Sequence, residues 1–267
     1  MVFEQIFNIK EVKNNYFNIF VMGFIFSEIG ILASFIAFNG SVGLMSVAFT
    51  SVIGIPFLLH LLELKTSDTD TKSFFKNLFW TNSAIFESYV LLFLGFFFSY
   101  VLYSLFLPEH SVLYYFQDQL SLFNISGTAI GIKLSFRTII LNNFKVLLIF
   151  FILSIIFGVG SILFLVWNAS VWGILLGYFI KLNSTGSTLF IKLINTMLKF
   201  FPHMILEASC YLFAIISGVI ISQTITNKSI QEEKKKEVII HGVILYIISV
   251  VLLFVSAYVE VYVYPLL

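Results

Sequence analysis

Charge is scarce in this chain. Of 267 residues only 11% are Asp, Glu, Lys or Arg, against 59% hydrophobic, and a soluble domain of this size needs far more polar surface to cover itself. The shortage excludes a water-soluble globular fold and points to lipid as the solvent. Cysteine is almost absent: Cys210 stands alone inside an apolar segment, so there is no disulfide framework and no Cys-x-x-Cys metal knuckle. A net charge of +1, with no dense Lys/Arg stripe, leaves nothing to neutralise nucleic-acid phosphates. Signatures of common enzymes are missing too: no G-x-x-x-x-G-K-[ST] phosphate loop, no H-E-x-x-H zinc helix, no G-x-S-x-G nucleophile elbow. The expectation is a protein that is not an enzyme and carries no cofactor.

What is abundant is the long apolar run. A hydrocarbon core of about 30 Å takes roughly 20 apolar residues per helix, and seven stretches approach that: Phe17 to Phe38, Val42 to Leu64, Ser83 to Leu107, Phe144 to Phe164, Leu165 to Ile180, Met204 to Ser222 and Val238 to Val259. Only Phe157-Gly-Val-Gly-Ser161 separates the fourth from the fifth, so two spans, a re-entrant pair and one bent segment all stay open. The fold class is therefore an all-α polytopic bundle of six or seven spans, one domain over residues 1–267. The 33 Phe and 12 Tyr suit packing and the interfacial belts.

Residues 1–15 mix Glu4, Lys10, Glu11 and Lys13 with apolar positions, unlike a cleaved signal peptide, and read as a short interfacial helix. Phe116 to Leu141 mixes polar and apolar residues and reads as interfacial or re-entrant helix, and Thr188 to Phe201 alternates in the same manner and reads as an amphipathic helix lying on the membrane just before Pro202. Asn227 to Glu237 reads as a solvated charge run. With the N-terminus cytoplasmic and seven spans, nine of the fifteen basic residues fall inside (Lys10, Lys13, Lys65, Lys72, Lys76, Lys228 and Lys234 to Lys236). That bias favours a multi-pass cell-membrane protein with its N-terminus in the cytoplasm.

Polar groups at membrane depth are the site candidates, because an ionisable group there is costly and faces an interior, a wet cavity or a partner. His203 and Glu207 lie one helical turn apart and share a face. With Pro202 at the first helical position, they suit a structural lock between helices, a proton relay or, with further ligands from other spans, a metal. Glu28 falls near the middle of the first span. Asn142 and Asn143 open the fourth and suit an N-cap. Asn168 suits either a cap or a cross-helix bond, and Asn142, Asn143, Asn168, His203 and Glu207 are expected to form a polar cluster that fixes the C-terminal bundle. His60, Glu63, Glu87 and Glu260 are close enough to interfaces to snorkel. Gly173-Ile-Leu-Leu-Gly177 is a G-x-x-x-G, and Gly30 to Ser34 and Ser154 to Gly158 are small-x-x-x-small variants; each is open to packing within the chain or between copies. Pro56 should bend the second span.

The order Asn142-Asn143-Phe-Lys-Val, Gly158 and Gly160, Asn168, Gly173, then Pro202-His203 with Glu207, resembles the SpoIIM-like family, the integral membrane proteins also called DUF95, and in particular its archaeal type. Met22-Gly23 with Glu28, Pro56 and Phe116-x-x-Gln119 add to the likeness, whose core spans about residues 140–225. Two positions depart from it: Ala169 and Met204 stand where the family has glycine. The resemblance implies a membrane anchor or scaffold. Bacterial relatives act in engulfment during sporulation, within a complex that includes peptidoglycan-degrading proteins, so the implied partners are membrane-complex proteins besides the lipid bilayer itself, and a homo-oligomer is compatible. The residues by themselves leave two rivals: a proton- or ion-coupled transporter or channel lined by Glu28, His203 and Glu207, and a metal-dependent intramembrane hydrolase.

Overall fold

In hydrocarbon every backbone N–H and C=O must be satisfied within the protein, and a helix does this segment by segment. A computed structural model describes residues 16–66, 82–122, 136–182, 189–226 and 232–263, and among them every regular element is helical. The elements are α1 (Tyr16–Ala37), α2 (Val42–Thr66), α3 (Asn82–Phe106), the short α4 (Glu109–Tyr115) and α5 (Gln117–Ser121), α6 (Phe136–Phe157), a 3-10 turn (Gly158–Ser161), α7 (Ile162–Leu182), α8 (Leu189–Thr226), α9 (Glu232–Tyr258) and a terminal π turn (Val259–Val263). The interfacial helix expected over residues 1–15 lies outside the described residues, as do 123–135 of the segment expected to be interfacial and 227–231 of the charge run.

Six stretches are long and apolar enough to cross a membrane: Phe17–Ala37, Val42–Leu59, Phe86–Phe106, Phe136–Leu182, Met204–Thr226 and Lys235–Tyr262. The fourth is 47 residues long. As one straight helix it would run about 70 Å, more than twice the hydrocarbon thickness. It does not run straight. Phe150 and Phe164 stack with ring centroids 4.7 Å apart, although fourteen residues of continuous helix would separate them by about 21 Å. The fold-back is made at the 3-10 turn, where Gly158 takes φ +53°, a left-handed conformation that costs a residue with a Cβ roughly 1–2 kcal/mol. The expected boundary between the fourth and fifth spans, after Phe164, therefore moves to residues 158–161, and α6 and α7 are separate helices of 22 and 21 residues.

Close contacts fix the direction of each helix. Gly23 of α1 abuts Leu92 and Gly95 of α3, Glu28 meets Ser99 and Phe35 stacks on Tyr103, so α1 and α3 run parallel. Gly30 abuts Ser46 and Thr50 while Phe26 meets Phe57, so α2 runs back. Gly173 and Gly177 of α7 climb along Phe97, Val101 and Ser104, and Lys181 donates to the Leu107 carbonyl, which makes α7 parallel to α3. Helix α8 follows α6 in the same direction, through Phe150 with Tyr211, Ser154 with Gly218, and Gly158 with Ser222. Helix α9 returns, with Tyr246 on Phe151 and Tyr262 near Phe136. Helix α1 thus begins on what is here called the entry side, together with the α6–α7 turn and the start of α9. The far side carries the α1–α2 turn, α4, α5 and the start of α6.

Three local expectations change. Helix α6 begins at Phe136, so Asn142 and Asn143 lie within the helix and are not its caps. Asn168 is likewise inside α7. Pro202 lies within α8, which continues from Leu189 to Thr226. The expected break between an amphipathic helix and a span is absent because proline removes only one backbone donor, leaving the carbonyl four residues earlier without its usual partner.

Candidate functional site

The glycine motifs position everything else. A Cβ on Gly173 would come 2.7 Å from the Phe97 carbonyl oxygen and 2.8 Å from Tyr100 Cβ. With glycine there the α3 and α7 backbones close up, and Ser104 Oγ donates to the Ile174 carbonyl at 2.8 Å. The G-x-x-x-G thus packs α7 on α3 within the chain. Gly30 and Gly158 serve similar close approaches, to α2 and to Ser222. Ala169 and Met204, where the resemblance implies glycine, are both buried.

Around this α3–α7 contact runs a polar seam. Glu28 Oε1 accepts from Ser99 Oγ at 2.8 Å and Oε2 accepts from the Tyr103 hydroxyl at 3.1 Å, so a carboxylate from the middle of α1 is tied to α3 by both oxygens. Next to it Ser46 Oγ donates to the Gly43 carbonyl at 2.8 Å. Its single hydrogen is then spent, and the Tyr100 hydroxyl, 3.0 Å away, acts as donor to it. From α5, Gln119 reaches in fully buried, at 0% exposure, with its amide against Gly43. Its Nε2 donates to Ser170 Oγ at 3.4 Å, and Ser170 donates to the Trp167 carbonyl at 2.7 Å. Gln119 Oε1 has no partner among the described residues. The seam thus links α1, α2, α3, α5 and α7 near the far side.

A second polar group lies on the C-terminal helices. Glu207 Oε1 accepts from the Tyr211 hydroxyl one turn on, at 3.0 Å, and the Phe150 ring of α6 packs edge-on against Tyr211. The parallel pairing of α6 and α8 continues down to Asn142 and Asn143 at the level of the turn carrying His203 and Glu207. The His203 side chain lies outside the described residues, as do those of His60 and Glu63. Asn142 is exposed and Asn143 half-buried. Asn168 Nδ2 donates to the Phe164 carbonyl of its own helix at 2.8 Å, so no hydrogen bond joins it to that group. Glu28, tied to α3, belongs to the seam and not to the His203–Glu207 group. No set of three His, Cys, Asp or Glu side chains suited to a metal occurs among the described residues.

Sequence reasoning passed over Ser46, Ser99, Tyr100, Tyr103 and Ser170. Two tyrosines one turn apart in an otherwise apolar span, each needing a hydroxyl partner when buried, were the available signal. Gln119 was visible only through the family resemblance.

Seven helices at membrane depth, tied by close glycine contacts and cross-helix hydrogen bonds, define an all-α, multi-pass integral membrane protein. The chain belongs to the family of stage II sporulation protein M, whose model matches residues 88–265. That match takes in Asn142, Asn143, Asn168, His203 and Glu207 and leaves Glu28 outside. The chain is also similar to an uncharacterized protein of the archaeon Methanocaldococcus jannaschii, 30% identical over 145 residues that make up 53% of this chain and 78% of the relative. No solved structure matches.

Proposed function

We propose that the protein is a non-enzymatic scaffold or anchor within a membrane complex, with its N-terminus in the cytoplasm and protein partners bound at the bilayer. The observation that carries this reading is how its membrane-depth polar groups are used: Glu28, Tyr100, Ser104 and Gln119 make hydrogen bonds that hold helices to one another. Groups used in this way stiffen a bundle. Family membership points the same way, through relatives named for a stage of sporulation. The group on α6 and α8, with Asn142, Asn143, His203 and Glu207 at one level, supplies the polar docking feature. Orientation follows from the excess of lysine on the entry side.

The test is an affinity pull-down of tagged protein from native membranes in mild detergent, compared with the His203→Ala/Glu207→Ala variant. The expected result is a protein partner at fixed stoichiometry that the variant loses. Substrate-linked proton or ion flux in proteoliposomes of the purified chain, abolished by Glu28→Gln or Glu207→Gln, would replace the scaffold with a transporter.

A further inference from the structure

Two charged residues lie at membrane depth on helices from opposite halves of the fold, Lys145 exposed and Glu28 half-buried. On α1 the outward residues are Phe17 (65% exposed), Leu32 (53%) and Ile36 (87%), with Val21, Phe24, Ile25 and Glu28 partly exposed on the same face. On α6 the exposed face carries Leu141, Lys145, Leu148, Ile149, Ile152 and Ile156, with the polar Arg137, Thr138 and Asn142 towards its far-side end. No hydrogen bond or ion pair ties Lys145 to another described residue, and the 47-residue stretch that holds it contains no acidic residue. A lysine at that depth gains from an anionic partner; Glu207, at the same level on α8, is bonded to Tyr211, and a neighbouring chain can supply another carboxylate.

Glu28 matches it in charge and in depth. It lies nine residues before the far-side end of α1 at Ala37, and Lys145 lies nine residues after the far-side start of α6 at Phe136. At 1.5 Å per residue both are about 13 Å into the bilayer from that side. The two helices run in opposite directions. An antiparallel pairing that sets Glu28 beside Lys145 therefore also sets Leu32 beside Leu141, Ile25 beside Leu148, Phe24 beside Ile149, Val21 beside Ile152 and Phe17 beside Ile156. Apolar thus meets apolar at these five places, while Ile36 falls beside Arg137. Within one chain α1 packs chiefly on α2 and α3, and α6 chiefly on α8 and α9, so the two faces are available to a neighbour.

We propose that copies of this chain associate through the α1 face of one and the α6 face of the next, with the Glu28 carboxylate of one copy paired to the Lys145 ammonium of its neighbour. Ser99 and Tyr103 hold that carboxylate in place, each taking one lone pair and leaving the others for the ammonium. The contact joins two different faces, so it is heterologous and builds rings or open rows in the membrane plane, not isolated two-fold dimers. It stands independently of the scaffold reading and of any partner protein.

The experiment is disulfide cross-linking in native membranes, in a Cys210→Ala background. The Leu32→Cys/Leu141→Cys chain, which keeps Glu28 and Lys145, should give a ladder of dimer, trimer and higher species. Co-expressed Leu32→Cys and Leu141→Cys chains should give dimer only, and each alone none. In parallel, Lys145→Glu should shift the oligomer to monomer by at least tenfold in nanodiscs, and adding Glu28→Lys should restore it. Should the charge-reversed chains fail to fold, Glu28→Gln and Lys145→Met provide milder tests, because the Gln Oε1 still accepts from one of the Ser99 and Tyr103 hydroxyls and its Nε2 can donate to the other. The proposal is overturned by a wild-type monomer in native membranes, by cross-linking of residue 32 to residue 32 in the Leu32→Cys chain, or by folded reversal variants that the double change does not rescue. Loss of bound anionic phospholipid in Lys145→Met with oligomer size unchanged would also overturn it, by assigning the ammonium to a lipid headgroup.

Discussion

At single residues, the glycines at the helix crossings carry exacting demands, and Gly173 of α7 is one of them. The Phe97 carbonyl already occupies the space a Cβ on Gly173 would need, and a backbone oxygen cannot swing aside as a side-chain tip can. Gly173→Ala is expected to lower stability by about 1–3 kcal/mol, the usual cost of overpacking, measured as a fall in the detergent melting temperature. Gly40→Ala is the control: the nearest atom to its would-be Cβ is the Tyr114 hydroxyl at 3.6 Å, and the expected change is within about 0.5 kcal/mol. Gln119 gives the opposite sign. Its one hydrogen bond is long and its Oε1 is buried without a partner, and a buried polar atom left unsatisfied costs about 1–3 kcal/mol. Gln119→Met should therefore leave the melting temperature unchanged or raise it; a clear fall would mean that the amide is satisfied by a group such as an internal water.

At the level of elements, the α6–α7 turn depends on one dihedral. Gly158→Ala should destabilise by roughly 1–2 kcal/mol, and Gly158→Asn by less, because asparagine tolerates the left-handed region better. The same melting series reads both. Elements were also where the sequence was most legible and where it misled. The first three spans were expected at Phe17, Val42 and Ser83 and begin at Tyr16, Val42 and Asn82, because lipid permits little besides long apolar helices. Pro202 misled because proline usually marks a helix end, whereas inside a bundle neighbouring helices hold both halves of α8 together. The candidate site was less legible still. Glu28 is separated from Ser99 and Tyr103 by 71 and 75 residues, and no local periodicity connects positions so far apart. The sequence marked Glu28 as costly without naming its partners. It grouped Asn168 with His203 and Glu207, whereas the asparagine bonds its own helix.

For the whole molecule, the helix directions predict sidedness. The exposed His110, in α4, and Glu233, in the first turn of α9, belong to opposite sides of the bundle. In sealed vesicles of one orientation, an impermeant thiol reagent should therefore label His110→Cys or Glu233→Cys but not both, in a Cys210→Ala background. Labelling of both from one side would mean that residues 136–182 cross the bilayer once and not twice, which would move the start of α9 to the opposite face. The proposed cytoplasmic placement of the N-terminus predicts more specifically that intact cells label residue 110 and protect residue 233.

The four-residue turn between α6 and α7 also constrains how the protein is made. Gly158–Ser161 carries no charge and is too short to form a loop in water, so nothing at that point can signal a ribosome-bound insertion machinery to stop or reverse. Helix α6 would emerge with Arg137 and Lys145 near its leading end and no acidic counterweight. Neither helix has an independent orientation signal at the turn. The two must then enter the bilayer together as a hairpin, oriented by the helices already placed and by the basic run that begins α9, and removal of Lys234 to Lys236 would be felt in the biogenesis of a hairpin some seventy residues upstream.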